Sequence, residues 1–223
     1  MNETILEMRN ITKSFPGVKA LNNVSIEVRR GEIHALVGEN GAGKSTLMKV
    51  LSGAYNAHEF EGEIYVGGNR QEFASVRDAK AIGIEMVYQE MNMMLDGTVA
   101  ENIYVGNLPG KHLVNFRKLY ADTQDILDRV GLDFKPQDIV RTLNGGQMQM
   151  LAIMRAISRR PQIIVMDEPT SALTGDQVDL LVDFLRDMRG EGVACLFITH
   201  KLEEVYRVCD RVTVMRDGEV VFT

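Results

Sequence analysis

Apolar positions in this chain follow two periodicities. Runs of β type occur at residues 5–8, 24–28, 33–37, 64–66, 84–88, 163–166, 193–199, 212–215 and 220–222. The runs at 33–37, 163–166 and 193–199 are nearly continuously apolar, as strands of a parallel sheet buried on both faces are. The early runs, such as 24–28, alternate apolar with polar residues and predict an antiparallel sheet with one wet face. Helical spacing appears between them. Residues 44–52 follow a glycine-rich turn, 117–130 carry Leu119, Ile126, Leu127 and Val130, and 147–159 place Met150, Leu151, Met154 and Ile157 on one stripe. Thr174 and Gln177 have capping-box spacing and open a helix to about residue 189. No strong strand pattern interrupts 91–154, which reads as a helical insertion in an α/β core.

Composition narrows the possibilities without redirecting them. The chain has 223 residues, 45% hydrophobic and 25% charged, which fits one globular domain with a subdomain. Its 25 basic and 31 acidic residues give a net charge of −6, against the overall basic footprint of a nucleic-acid binder. The longest apolar run, 193–198, falls far short of the roughly 20 residues that span a bilayer. The acidic start lacks a signal-peptide pattern. Cys195 and Cys209 have neither redox-pair nor zinc spacing, and the four histidines are scattered. Cys195 is expected as a core residue in a reducing, cytoplasmic setting.

An acidic protein that binds a polyanion needs a local positive site, and one is legible. Gly38-Glu39-Asn40-Gly41-Ala42-Gly43-Lys44-Ser45-Thr46 matches GxxxxGK[ST] between a buried strand pattern and a helix pattern. Glycines let backbone N–H groups converge on phosphate oxygens, and the helix start adds partial positive charge. Lys44 suits the β- and γ-phosphates of a nucleotide, and the Ser45 hydroxyl suits Mg²⁺. The strand 163–166 runs into Asp167 and Glu168, and is expected to lie beside the strand of the phosphate loop. Asp167 is then placed to approach Mg²⁺, and Glu168 to activate a water attacking the γ-phosphate.

Further segments recur in a recognisable order: aromatic Phe15, the loop 38–46, Gln89 at the end of a strand pattern, Leu143-Asn144-Gly145-Gly146-Gln147, Asp167-Glu168, the loop 171–174, and His200. In this order the sequence resembles the ATP-binding cassette (ABC) ATPases along its whole length. The resemblance implies a P-loop NTPase (RecA-like) core with an antiparallel β subdomain, spanning 1–90 and 155–223, and an inserted helical subdomain at 91–154 that carries the signature. It implies ATP and Mg²⁺ as ligands. Phe15 is expected to stack on adenine, Gln89 to reach the metal or attacking water, and His200 to bond the γ-phosphate. The segment 144–147 is expected to grip the γ-phosphate of ATP held by a second cassette. The family commonly has serine where Asn144 stands. Asparagine caps a helix equally well and its amide can donate, but the hydroxyl is lost.

Details lean toward the monosaccharide-importer class: Thr174 after Ala172-Leu173, the run 100–106, Glu61-Gly62-Glu63-Ile64, and the Gln147–Met150 segment. In that class two cassettes are usually fused, so the chain is expected as a single-cassette relative or an amino-terminal half. The implied activity is ATP hydrolysis that drives import of a small solute, with ATP gluing two cassettes together. The implied partners are a second cassette, transmembrane permease subunits contacted near Gln89 and Met91–Met94, and, indirectly, a solute-binding protein. The implied location is peripheral, on the inner face of the cell membrane. Two rivals remain at this stage: a non-transport ABC ATPase acting on nucleic acid or ribosomes, and a nucleotide-gated scaffold with little hydrolysis.

Overall fold

The structure, a computed structural model, describes residues 3–88, 92–110 and 113–223. In chain order its elements are β1 (Thr4–Phe15), β2 (Val18–Arg29), β3 (Ile33–Gly38), α1 (Lys44–Leu51), β4 (Glu61–Val66), β5 (Asn69–Gln71), α2 (Val76–Ala81), β6 (Ile84–Val87), α3 (Val99–Ile103) and α4 (Phe116–Val130). A 3₁₀ turn at Val140–Thr142 follows, then α5 (Gly145–Ile157), β7 (Ile163–Asp167), α6 (Gly175–Gly190), β8 (Ala194–Ile198), α7 (Leu202–Val208), β9 (Arg211–Arg216) and β10 (Glu219–Phe222).

Two sheets organise the strands. The first has the order β2-β1-β4-β5, and every pair in it is antiparallel. β1 and β2 are 12 residues each, longer than their apolar runs predict, because bulges break the alternation. Asn10 and Asn23 sit at these irregularities with φ of 55° and 53°. Asparagine is one of the few residues that visits this left-handed region. The amide of each is satisfied across the pair, Asn10 N–H by Ser25 Oγ at 2.9 Å and Asn23 N–H by Thr12 Oγ1 at 3.0 Å.

The second sheet has the order β10-β9-β3-β8-β7-β6, with β9, β3, β8 and β7 mutually parallel. This corrects one expectation. The strand bearing Asp167 is not beside the strand of the phosphate loop, because β8 lies between them. All five residues of β8 are buried, so it takes a central place. Three strands of like apolar composition carry no signal of which neighbours which. The level is nevertheless shared: Ile198 pairs with Leu36 on one side and Asp167 on the other. β3 contains one buried polar side chain, His34, whose ring nitrogens lie 2.8 Å from Glu32 Oε1 and 2.7 Å from Thr213 Oγ1. It is a satisfied core histidine.

The chain forms two compact units. One comprises Met1–Met86, Pro161–Glu168 and Leu185–Thr223; the other comprises Val87–Arg160 and Pro169–Phe184. The first holds both sheets apart from the end of β6, with a core that includes Leu36, Leu47, Met48 and Leu196. The second is helical. α4 buries Leu119, Leu127 and Val130, as its periodicity predicts, and also Thr123, whereas Ile126 is only half-buried. It ends at Gly131 in the left-handed conformation that closes many helices. Asn102 pins the segment ahead of α3, accepting from the Met94 amide at 2.8 Å and donating to the carbonyls of Met94 and Thr98. Cys195 is buried and Cys209 half-buried; both thiols are free, and burial pushes each above its ordinary pKa.

Candidate functional site

The turn from β3 into α1 is shaped by glycine. Gly43 precedes the helix with φ +99°, and a Cβ there would stand 2.6 Å from the Ala20 carbonyl oxygen and 2.9 Å from Leu21 Cδ2. Conformation and space both demand glycine. No side chain caps α1, and its first turn contains no acidic residue, so the helix's own first turn sets no like charge against an anion. Glu39, Asn40 and Gly41 are exposed, whereas Ala42 is buried and donates its amide to the Glu39 carbonyl at 3.1 Å. Ser45 is exposed and Thr46 half-buried on the first turn of α1.

Lys44 turns back into this loop. Only 8% exposed, it donates from Nζ to the carbonyl oxygens of Gly38 at 2.6 Å and Glu39 at 2.9 Å. Burial lowers its pKa, while the charges of Glu168 and Asp167 oppose the shift. Asp167 shows the reciprocal effect. Burial raises its carboxyl above the ordinary value, Glu168 adds to the rise, and Lys44 opposes it. The lysine and the two acids that the sequence singled out are therefore electrostatic neighbours.

Glu168 leaves β7 with φ +46°, a conformation uncommon for a non-glycine residue. Its amide donates to the Ile198 carbonyl at 2.9 Å, which anchors the turn to β8. Its Oε1 lies 2.8 Å from His200 Nδ1. His200 stands just past β8 and is more than half exposed. The turn that presents it is fixed by Thr199, whose hydroxyl donates to Glu204 Oε2 at 2.8 Å and accepts from the Lys201 amide at 3.0 Å.

The segment 143–147 lies in the helical unit and is built as a helix start. Asn144 Oδ1 accepts from the Gln147 amide at 2.9 Å, and Gln147 Oε1 accepts from the Asn144 amide at 3.0 Å. This reciprocal capping box uses the Asn144 oxygen and directs no acidic residue into the first turn of α5. Gly145 is exposed; Gly146 is buried, where a Cβ would collide with Gln177 Oε1. Gln89, expected at the metal or attacking water, and Met91 lie outside the described residues.

Phe15, at the end of β1, is half-buried, its ring 5.8 Å from that of Tyr55 in an edge-on arrangement. Lys13 lies over both rings. Neither Lys13 nor Tyr55 belongs to a sequence motif. The spacing of Lys13 and Phe15, two apart on a strand and therefore on one face, was the available signal; Tyr55 offered none.

A glycine-shaped anion loop, a buried lysine and a paired acid at the ends of parallel strands define a P-loop NTPase. The ABC transporter profile matches residues 21–171, and the chain belongs to that family. It is 46% identical over 224 residues to the xylose import ATP-binding protein of Thermoanaerobacter pseudethanolicus, covering 100% of this chain and 44% of the relative. It is 44% identical over 227 residues to the galactose/methyl galactoside import ATP-binding protein of Clostridium tetani, covering 100% and 45%. The chain thus spans less than half the length of these relatives. Among solved structures, a dimeric ATP-binding cassette in a post-hydrolysis state bound to ADP and Pi superposes with a TM-score of 0.84 at 25% identity, covering 98% of this chain and 97% of that one. No helix among the described residues is long and apolar enough to cross a membrane.

Proposed function

We propose that this chain is the ATP-binding and ATP-hydrolysing part of an importer that drives uptake of a monosaccharide. The observation that carries the reading is the convergence of Lys44, Asp167, Glu168 and His200 at one end of the parallel sheet. The names of the sugar-import relatives supply the substrate class.

In this reading the amides of residues 38–46 and the Lys44 ammonium hold the β- and γ-phosphates. Lys44 exchanges its two carbonyl acceptors for phosphate oxygens when ATP enters. Glu168 takes a proton from the attacking water, and His200, bonded to the same carboxylate, orients it and reaches the γ-phosphate. Phe15 stacks on adenine. Gln89 completes the water or metal shell.

The donor set also fits Mg²⁺. Among the described residues no cluster of three or more His, Cys, Asp or Glu could form a cage, but Mg²⁺ in nucleotide sites takes one or two protein oxygens plus phosphates and water. Ser45 and Asp167 would hold it. Asp167 carries a carboxylate whose charge is disfavoured by burial and by Glu168, and a cation there relieves both effects. When bound, the ion neutralises charge developing on the phosphates.

A second cassette would complete the site. The capping box of Asn144 and Gln147 occupies the Asn144 backbone amide and Oδ1 but not the side-chain Nδ2 of Asn144 or the amide of exposed Gly145, which would donate to another chain's ATP, and the ADP-bound dimeric neighbour supports this assembly. Permease subunits would bind near the exposed Met94 and Leu95, where methionine adapts to a partner's helix. The chain would then lie peripherally on the inner membrane face, addressed indirectly by a solute-binding protein and not by nucleic acid.

The test is genetic and direct. Cells lacking this protein should lose uptake of one labelled pentose or hexose, and the wild-type gene, but not Lys44→Ala, should restore it. Unchanged uptake of every monosaccharide, with nucleic acid co-purifying, would overturn the importer reading.

A further inference from the structure

The end of β1 contains a charge that none of the phosphate-site chemistry uses. Lys13 is 6% exposed. A lysine can usually carry its ammonium out to water along a flexible stem, yet here Nζ is held inside. It donates to the Glu59 carbonyl at 2.6 Å and lies 3.7 Å from Glu59 Oε1. It also sits 4.5 Å from the centre of the Tyr55 ring and 5.2 Å from that of Phe15. A buried ammonium is strongly unfavourable unless it is paired. This one is matched by a carbonyl, a carboxylate and two aromatic faces, so the packing is specific to a cation.

The arrangement also joins two parts of the first unit. Tyr55 follows α1 and donates its amide to the Lys49 carbonyl at 3.2 Å, within the helix that Lys44 opens. Glu59 is held in turn, its Oε2 accepting from the Asn56 amide at 2.9 Å. Lys13 thereby ties Phe15 on β1 to the trailing end of the phosphate-loop helix.

We propose that Lys13 and Tyr55 are positioning residues for base recognition, locking the Phe15 ring at a fixed distance from the phosphate loop and tuning it for a purine. The ammonium draws π-electron density toward one face of the ring. The other face then favours a broad, electron-rich base, so purine nucleoside triphosphates are selected over pyrimidine ones. This inference rests on the assignment of Phe15 to adenine given above.

The experiment is equilibrium binding of ATP, CTP and inorganic tripolyphosphate to the full chain and to Phe15→Leu, Lys13→Met and Tyr55→Leu. Phe15→Leu should weaken ATP about tenfold or more, the scale of one base–aromatic stack. Lys13→Met should weaken ATP about 3- to 10-fold, narrow the preference over CTP, leave tripolyphosphate unchanged and add no further loss in the Phe15→Leu background. Tyr55→Leu should do the same, and it decides the matter should Lys13→Met fail to fold. ATP affinity lost in Phe15→Leu but unchanged in the other two variants would overturn the proposal and leave the adenine platform standing. Unchanged ATP affinity in Phe15→Leu would overturn the platform itself. Equal weakening of ATP and tripolyphosphate in Lys13→Met and Tyr55→Leu would reduce both residues to a structural role.

Discussion

The phosphate loop and the 144–147 segment both end at the start of a helix, and both are proposed to face an anion, but they are built differently. At α1 the sheet supplies the rest of the chemistry. Lys44 is buried, Asp167 and Glu168 press on it electrostatically, and His200 is already bonded to Glu168. At the start of α5 the side chains are self-directed: Asn144 and Gln147 satisfy each other's amides, and Asn144 and Gly145 are exposed. One end is charged and preorganised, the other is neutral and supplies only donors. A catalytic end needs fixed charges at a defined distance, whereas a donor end needs only an open helix start. The difference is what the proposed composite site would require.

The largest effect should come from Glu168→Gln, which removes the proposed base and keeps the shape. Phosphate release is expected to fall about 10²–10⁴-fold, while ATP titration shows binding retained; hydrolysis at the wild-type rate would place the base elsewhere. Next comes Gly43→Ala, which forces φ +99° on a residue with a Cβ and drives that atom against the Ala20 carbonyl. A loss of about 1–3 kcal/mol in denaturant unfolding is expected, together with loss of ATP binding.

At the donor end, Asn144→Ala should lower stability by about 1 kcal/mol, and Asn144→Ser should hold both stability and turnover. A collapse in the serine variant would mean that the side-chain Nδ2 of Asn144 itself carries the contact with nucleotide.

The smallest effect concerns pH. Burial, then Glu168, raise the Asp167 pKa in the fold, with Lys44 opposing. A carboxyl whose folded pKa exceeds its unfolded one favours the fold below the unfolded pKa, and that contribution is lost as pH rises through the folded value. Asp167→Asn should therefore raise the melting temperature by a few degrees at pH 7 without Mg²⁺, with the gain shrinking as pH falls into the carboxylate range. A gain that persists unchanged at low pH would show that charge is not its cause.

The sequence made the phosphate loop, the acid pair and α4 legible because each depends on local pattern: glycine spacing, an apolar run ending in acids, and helical periodicity. It understated β1 and β2, because Asn10 and Asn23 absorb bulges that interrupt the alternation. It passed over α2, α3 and α7, which have six, five and seven residues and are too short to establish a period. The Thr98–Glu101 capping box was a visible sign of α3. Strand order stayed hidden, since which buried strand neighbours which depends on tertiary packing. The cluster of Lys13, Tyr55 and Glu59 stayed hidden for a similar reason: 46 residues separate Lys13 from Glu59.

β8 acts as a spacer. Its span, Ala194–Ile198, belongs to none of the sequence signatures, yet Ile198 is in register with both Leu36 and Asp167. Neighbouring strands lie about 4.8 Å apart, so the interposed strand fixes a gap of about 10 Å between the lysine-bearing turn and the acids. A single-residue insertion there would slip the ladder and misalign the two halves, leaving every recognisable motif intact. Inactivating alleles of such a gene can thus hide in a stretch that motif inspection would pass as sound.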